Sequence, residues 1–173
     1  MIISVSDFRK RETCNKDDKT IAAEFAAIEA IIRQYTNNNF QKRGVRFIGR
    51  SAGNFVYGTP AYFGAGDTVQ ITSENGINDG LYQVVSVGDN YLELDADLMA
   101  LNCNMVTKVE YPADVVQCAI DLYKWKLENG DKVGIKSETL SRHSVTYEDS
   151  ATLFMGYPVG ILSGLKLYKK ARC

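Results

Sequence analysis

Two stripes of apolar residues at helical spacing, standing on either side of a long glycine-punctuated segment, constrain this chain more than any other feature. Ile21, Phe25, Ile28, Ile32 and Tyr35 follow one another at intervals of three and four, which puts them on one face of an α-helix and leaves Glu24 and Arg33 off it. Val116, Ile120, Tyr123 and Leu127 repeat the pattern ahead of Asn129-Gly130. Each helix has recognisable ends. Asp17 and Asp18 are placed to cap the first, and Asn37-Asn38-Asn39 stop it, because Asn tolerates the left-handed conformation that terminates helices. Pro112 opens the second, since its missing amide is unpaired in a first turn anyway. Ser6-Asp7-Phe8 reads as the cap of a further short helix.

Between the stripes, from about Gln41 to Glu110, short runs of β-branched and aromatic residues alternate with glycines. Val45–Ile48, Asp67–Thr72, Leu81–Val87, Tyr91–Leu94 and Met105–Val109 are the expected strands. Asn78-Asp79-Gly80 and Gly88-Asp89-Asn90 supply turn residues, the second in position to make a hairpin. Five short strands predict a small closed or nearly closed barrel of the SH3-like or OB-like kind. The fold class is therefore α+β: a small helical body, residues 1–42 and 110–173, with an inserted β-barrel-like lobe at 43–109.

Residues 134–149 are polar and β-leaning, and read as a long β-hairpin arm on which Val145 and Tyr147 alternate towards one side. Pro158 to Leu167 forms a short helix packed through Ile161, Leu162 and Leu165, and Lys166, Lys169, Lys170 and Arg172 make the end of the chain basic.

Composition excludes several function classes. Twenty basic residues against twenty-one acidic ones leave a net charge near −1, so no global field holds a polyanion. No apolar run approaches the roughly 20 residues that span a bilayer, and a protein kept in the cytosol, or in something assembled there, is expected. Cys14, Cys103, Cys118 and Cys173 are far apart, without a CxxC pair, and His143 is the single histidine. They support neither a zinc site nor a Ser-His-Asp system, and no catalytic, metal or cofactor site is expected. Gly64 and Gly66 lack the third glycine and the helix of a dinucleotide loop. The pairs Asp95/Asp97 and Asp17/Asp18 lack an EF-hand's ligand spacing and read as caps and turns. Tyr57, Tyr62, Phe63, Tyr82 and Tyr91 suggest a base-stacking platform, but no Lys or Arg lies between Tyr57 and Ala96 to hold phosphates beside them.

Four stretches together resemble the head-to-tail connector (adaptor, head-completion) family of tailed phages with siphovirus-type tails, in its long form with a β insert. They are Ile31 to Phe40 (IIRQYTNNNF), Tyr111-Pro112-Ala113-Asp114-Val115 through Trp125, Gly134-Ile135-Lys136-Ser137-Glu138 through Ser144-Val145-Thr146-Tyr147, and Gly156-Tyr157-Pro158 through Leu167-Tyr168. Their order is also the family's, and the segment Asp67 to Leu98 is similar to the insert. The resemblance implies a structural virion protein at the head-tail junction, in a ring that is generally dodecameric, docked between the portal protein and a stopper or tail protein, with DNA passing through unbound and no membrane contact. Ile135, Val145, Tyr147 and Tyr168 are the residues expected at the interface. The alternative is a small-barrel module that binds nucleic acid or a peptide through residues 67 to 98.

Overall fold

The computed structural model describes residues 1–130, 137–140, 143–146 and 153–171, with backbone pairing alone for the two short middle segments. The fold is mixed α+β. By compactness the chain divides into two units, one comprising Met1 and Asn39–Tyr111, the other Ile2–Asn38 and Pro112–Cys173.

The second unit is helical. Its first helix, α1 (Val5–Arg11), starts two residues earlier than expected, because Ser4 and not Ser6 is the cap: its Oγ accepts from Asp7 N at 3.1 Å. The second, α2 (Asp18–Thr36), is capped by Asp17, which accepts from Thr20 N at 3.1 Å, and ends where Asn37 turns left-handed at φ 48°. Ile21, Phe25, Ile28 and Ile32 are fully buried along it, and Tyr35 at its end packs on Phe154. The third helix, α3 (Ala113–Asn129), begins after Pro112 in the cap position. Its buried face is Val115, Cys118, Ala119, Ile120, Leu122 and Tyr123. The expected stripe is therefore rotated: Val116 is only partly covered and Leu127 is 43% exposed, while Cys118 and Ala119 serve as small core residues. Small residues carry little apolar signal, which is why spacing alone chose the wrong neighbours.

Phe8, Phe25 and Tyr123 hold these three helices together. The Phe25 and Tyr123 rings stack at 4.8 Å, and Phe8 meets both edge-on at 5.0 and 5.1 Å. Glu24 stands beside this core on α2 and takes Lys16 at 2.9 Å and Lys126 of α3 at 3.2 Å. Partial burial raises the Glu24 pKa, yet the hydrogen bonds from Lys16 and Lys126 outweigh it and the net shift is downward.

After α3 the described backbone pairs β5 (Ser137–Leu140) with β6 (His143–Thr146), then β7 (Leu153–Phe154) with β8 (Tyr157–Pro158). The chain ends in α4 (Val159–Leu162) and a 3₁₀ segment (Ser163–Tyr168), with Leu162 and Leu165 buried.

The other unit is a four-stranded antiparallel sheet of β1 (Gln41–Tyr57), β2 (Thr68–Ser73), β3 (Gly80–Val87) and β4 (Tyr91–Val109), in the order β1-β4-β2-β3, with β3 also paired to β4. Two expectations are corrected here. Tyr91–Leu94 and Met105–Val109 are the two ends of one long strand, because no Gly or Pro between them breaks it. The closed barrel does not form: β1 pairs with β4 alone, so an edge stays open. The apolar core is nonetheless continuous, with Val56, Val69, Ile71, Val84, Leu92, Leu94, Leu98 and Val106 buried together.

The long β1–β4 ribbon bends where its register shifts, between Gly49 and Phe55. A Cβ on Gly49 would run into the Tyr57 carbonyl, so that position requires glycine, while Gly53 turns left-handed at φ 59°, a conformation that favours it. A buried polar cluster holds the bend. Asn78 Nδ2 donates to Ser51 Oγ, the Met99 carbonyl and Asn104 Oδ1 at 3.2, 2.9 and 3.0 Å, and its own Oδ1 accepts from Met99 N at 2.9 Å. Asn104 Nδ2 donates to Ser51 Oγ at 3.0 Å, and Ser51 Oγ to the Met99 carbonyl at 2.6 Å. From its sequence neighbours, Asn78-Asp79-Gly80, Asn78 is expected only to serve a turn.

Two outcomes follow for stability. Asn78→Ala strands several buried donors and acceptors and should cost about 2–3 kcal/mol in a urea titration; a loss below ~0.5 kcal/mol would show that water satisfies the cluster equally well. For Glu24, whose folded pKa is depressed, the stabilisation is fully present above the ordinary value of 4.5 and is lost as pH falls through the folded pKa. Glu24→Gln should cost about 1.5 kcal/mol at pH 7 and flatten the acid limb of a melting-temperature profile; an unchanged acid limb would remove Glu24 as its source.

Candidate interaction surfaces

The expected site residues have to be located individually. Ile135 and Tyr147 lie outside the described residues, as does half of the arm at 134–149. Val145 sits on β6, where its backbone is the partner of Glu138 on β5. His143, opposite Leu140, is likewise placed by its backbone alone.

Tyr168, at the end of the 3₁₀ segment, is described in full. Its hydroxyl donates to both carboxylate oxygens of Asp114, at 2.9 and 2.7 Å, on the first turn of α3. The carboxylate favours the protonated phenol, so the Tyr168 pKa is raised. Its carbonyl accepts from Asn38 Nδ2 at 3.1 Å, while Asn37 Nδ2 reaches the Ala171 carbonyl at 2.9 Å and Lys170 N donates to the Thr36 carbonyl at 2.8 Å. The residues after α2 thus stitch the chain's last turn to the helical unit. Sequence reading named Tyr168 but neither Asp114 nor Asn38 as its partners, since an acidic residue in a first helical turn and an Asn after a last one already have a local explanation.

Next to this anchor, α3 and the C-terminal segment enclose a cleft of about 250 Å³ lined by Asp114, Gln117, Cys118, Asp121, Ile161 and Leu165, together with Gly164. Gln117 Nε2 holds Asp121 at 2.9 Å. Leu167 stands 93% exposed on the same segment. The cleft is apolar on one wall and acidic on the other. Its one nucleophile, Cys118, is disarmed: burial pushes the thiol up to about 11, with Asp121 and Asp114 adding to the shift, and Sγ lies 3.6 Å from the Ile161 carbonyl. This is a surface that can be covered, and the thiol in it does not ionise near neutral pH.

The β unit exposes a different set: Ile48 at 61%, Tyr62 at 84% and Met99 at 63%. Of the aromatics considered for stacking, Phe63 meets Phe47 edge-on at 5.6 Å, Tyr91 meets Phe55 at 5.4 Å, and the Tyr82 hydroxyl donates to the Asn78 carbonyl at 3.1 Å. Burial raises the Tyr82 pKa first, and Asp79 and Asp95 add to it. These rings are engaged within the unit.

Among the described residues no group of three or more His, Cys, Asp or Glu side chains is placed to hold a metal, and no helix is long and apolar enough to cross a membrane. No known family model matches the chain, and no curated protein matches it.

The thiols give a direct check. Cys103 is exposed and Cys118 buried, so iodoacetamide at pH 8 should label Cys103 at least about tenfold faster, read by peptide mass spectrometry. Equal rates would mean that the cleft wall opens readily and that the Cys118 environment is not as described.

Proposed function

We propose that the chain is a non-enzymatic structural subunit of a tailed-phage neck, which closes with copies of itself into a ring between the portal and the stopper or tail and leaves a passage for DNA. The observation that carries this reading is the meeting at Tyr168 of three of the four stretches that resemble the connector family. Asn38 from the first bonds the Tyr168 carbonyl, Asp114 from the second takes its hydroxyl, and Tyr168 itself ends the fourth. Residues scattered over more than a hundred positions are thus parts of one packed unit.

The physics of a conduit supports the same reading. A protein that lets DNA slide past it should hold no strong positive field, and the net charge is −1. A ring needs one patch of a subunit to meet a different patch of the next, and a cleft with an apolar wall beside an exposed Leu167 suits such a heterologous contact. The polar arm at 134–149, with Val145 and Tyr147 its apolar residues of choice, is the second element we assign to the neighbour. In this reading the protein works in the virion after assembly in the host cytoplasm.

The test is assembly. Purified protein, alone and mixed with the portal ring of its own phage, should form annular particles visible by negative-stain electron microscopy and should sediment as a large oligomer. The double change Val145→Asp with Tyr147→Asp should weaken that association at least about tenfold, since burying two such side chains contributes several kcal/mol. A protein that stays monomeric under all these conditions and instead retards a labelled oligonucleotide would sink the ring and favour a small binding module.

A further inference from the structure

Tyr62 is placed unlike the other aromatics of the β unit. It lies in the β1–β2 loop, 84% exposed, and its backbone is left-handed at φ 70°, a conformation that bulky side chains rarely adopt. The loop enforces that conformation. Lys108 Nζ donates to the Tyr62 carbonyl at 3.2 Å and to Asp67 Oδ2 at 2.6 Å, and Asp67 Oδ2 also accepts from Gly64 N at 2.7 Å. Phe63, the next residue, is locked edge-on against Phe47. Backbone strain persists only where the surroundings impose it, and it gathers at sites of binding. Residues 58–66 carry no charge, so a phosphate would find no counterion in this loop.

The cleft of the helical unit calls for an occupant with two properties. Its Ile161 and Leu165 wall is apolar, while Asp114 and Asp121 form the other wall. A purely apolar side chain pressed into it would strip water from Asp121 and return no hydrogen bond. Asp114 already receives the Tyr168 hydroxyl, so a phenol on a carboxylate is chemistry this wall performs. Asp121 accepts from Gln117 Nε2 at 2.9 Å and has further acceptor capacity. Gly164 also lines the cleft. Its backbone is not left-handed and a Cβ there would meet nothing within 4 Å, so its own chain does not require a glycine, and the bare backbone leaves the space open to something else. Among the described residues, the large apolar side chains that stand exposed include two with a hydrogen-bond donor, Tyr57 and Tyr62, and Tyr57 is only 36% exposed, with Arg50 over its ring.

We infer that Tyr62 of one copy inserts into the Asp121/Gly164 cleft of a second copy, its phenol against Ile161 and its hydroxyl donating to Asp121. The inference rests on the ring reading above and specifies one of its contacts. The inserted residue belongs to the β unit and the cleft to the helical unit, so the two patches differ, and every subunit gives one and receives one. That is the heterologous contact a ring requires. A side chain carried on a braced loop gives up little freedom on docking, and Tyr is among the residues that most often anchor interfaces.

Analytical ultracentrifugation of the full chain tests it. Tyr62→Asn keeps a residue that tolerates the left-handed backbone, so its melting temperature should not fall, while self-association weakens at least about tenfold. Gly164→Leu fills the cleft from a position without steric conflict and should weaken association as much; Tyr62→Phe, which keeps the aromatic ring and loses the donor, should fall between these and the parent. Mixed one to one, Tyr62→Asn and Gly164→Leu should form a heterodimer and nothing larger, because the phenol of the second meets the open cleft of the first and no other complete pair remains. Parent-like association of Tyr62→Asn or Gly164→Leu, or no heterodimer on mixing, overturns this contact and leaves the ring standing. A lowered melting temperature in Tyr62→Asn would show the phenol serving its own fold and overturns the contact as well. A parent that stays monomeric, alone and with the portal ring of its own phage, removes the ring reading and the contact together. Oligonucleotide binding by a monomeric parent, lost in Tyr62→Asn, would assign the phenol to a base instead.

Discussion

The helical unit depends on one contact, the three-ring cluster of Phe8, Phe25 and Tyr123. Helix α1 has seven residues and buries a single side chain, Phe8, so it is far too short to persist in water by itself. Its existence is a tertiary effect of the two rings it meets. The stacked pair of Phe25 and Tyr123 does the same for the longer helices, joining the centre of α2 to the centre of α3 at 4.8 Å. Burial drives the Tyr123 pKa far upward, and its hydroxyl lies 3.5 Å from Cys14 Sγ, so a neutral phenol is fixed there over any ordinary pH. Removing any of the three rings would open a cavity next to the other two, of the kind that costs about 3–5 kcal/mol.

The β unit follows the opposite principle, with a polar cluster at its most strained point. A ribbon as long as β1 paired to β4 must bend to cover its own apolar face, and bending exposes backbone groups that the ladder no longer pairs. Asn78, Asn104 and Ser51 take up that function from inside. No buried side-chain polar atom among the described residues lacks a partner. A network completed in this way fixes one geometry of the bend, and the side-chain amides that fix it are unavailable for binding. Among the described residues β1 pairs with β4 alone, and the sheet curls without closing.

What was legible in the sequence tracks how local the cause is. Helix α2 could be read almost residue by residue, because Asp17, the stripe from Ile21 to Ile32 and Asn37 are each explained by their own neighbours in the chain. The face of α3 was misassigned, as Cys118 and Ala119 are core residues only by virtue of what packs on them. Strand β4 reads from the sequence as two strands separated by residues 95–104, whereas pairing with β1 runs along both ends and through Leu98, Leu101 and Asn104 between them. Asn78 and Asn104 gave no warning at all: one lies in a turn sequence and the other in a polar run, and burial that arises from folding over long distances leaves no mark on spacing. Tyr168 stands out by resemblance as an interface residue, but nothing in the sequence marks its bond to Asp114, 54 positions away, which arises only in three dimensions.

Net charge is a poor guide to a protein whose charges are sorted. The value of −1 excludes a strong far field, yet it is compatible with β1 carrying four cations and the rest of its sheet carrying almost none. The two facts act at different distances. At separations beyond the ~8 Å screening length of physiological salt, the chain neither attracts nor repels other charged molecules appreciably. Inside that distance the local pattern takes over, and each charge acts on whatever faces it directly. A chain strongly charged as a whole would have to overcome mutual repulsion before any such pattern could act; a neutral and unpatterned one would associate without direction. Near-neutrality built from separated charges therefore leaves the far field weak while the short-range field stays patterned.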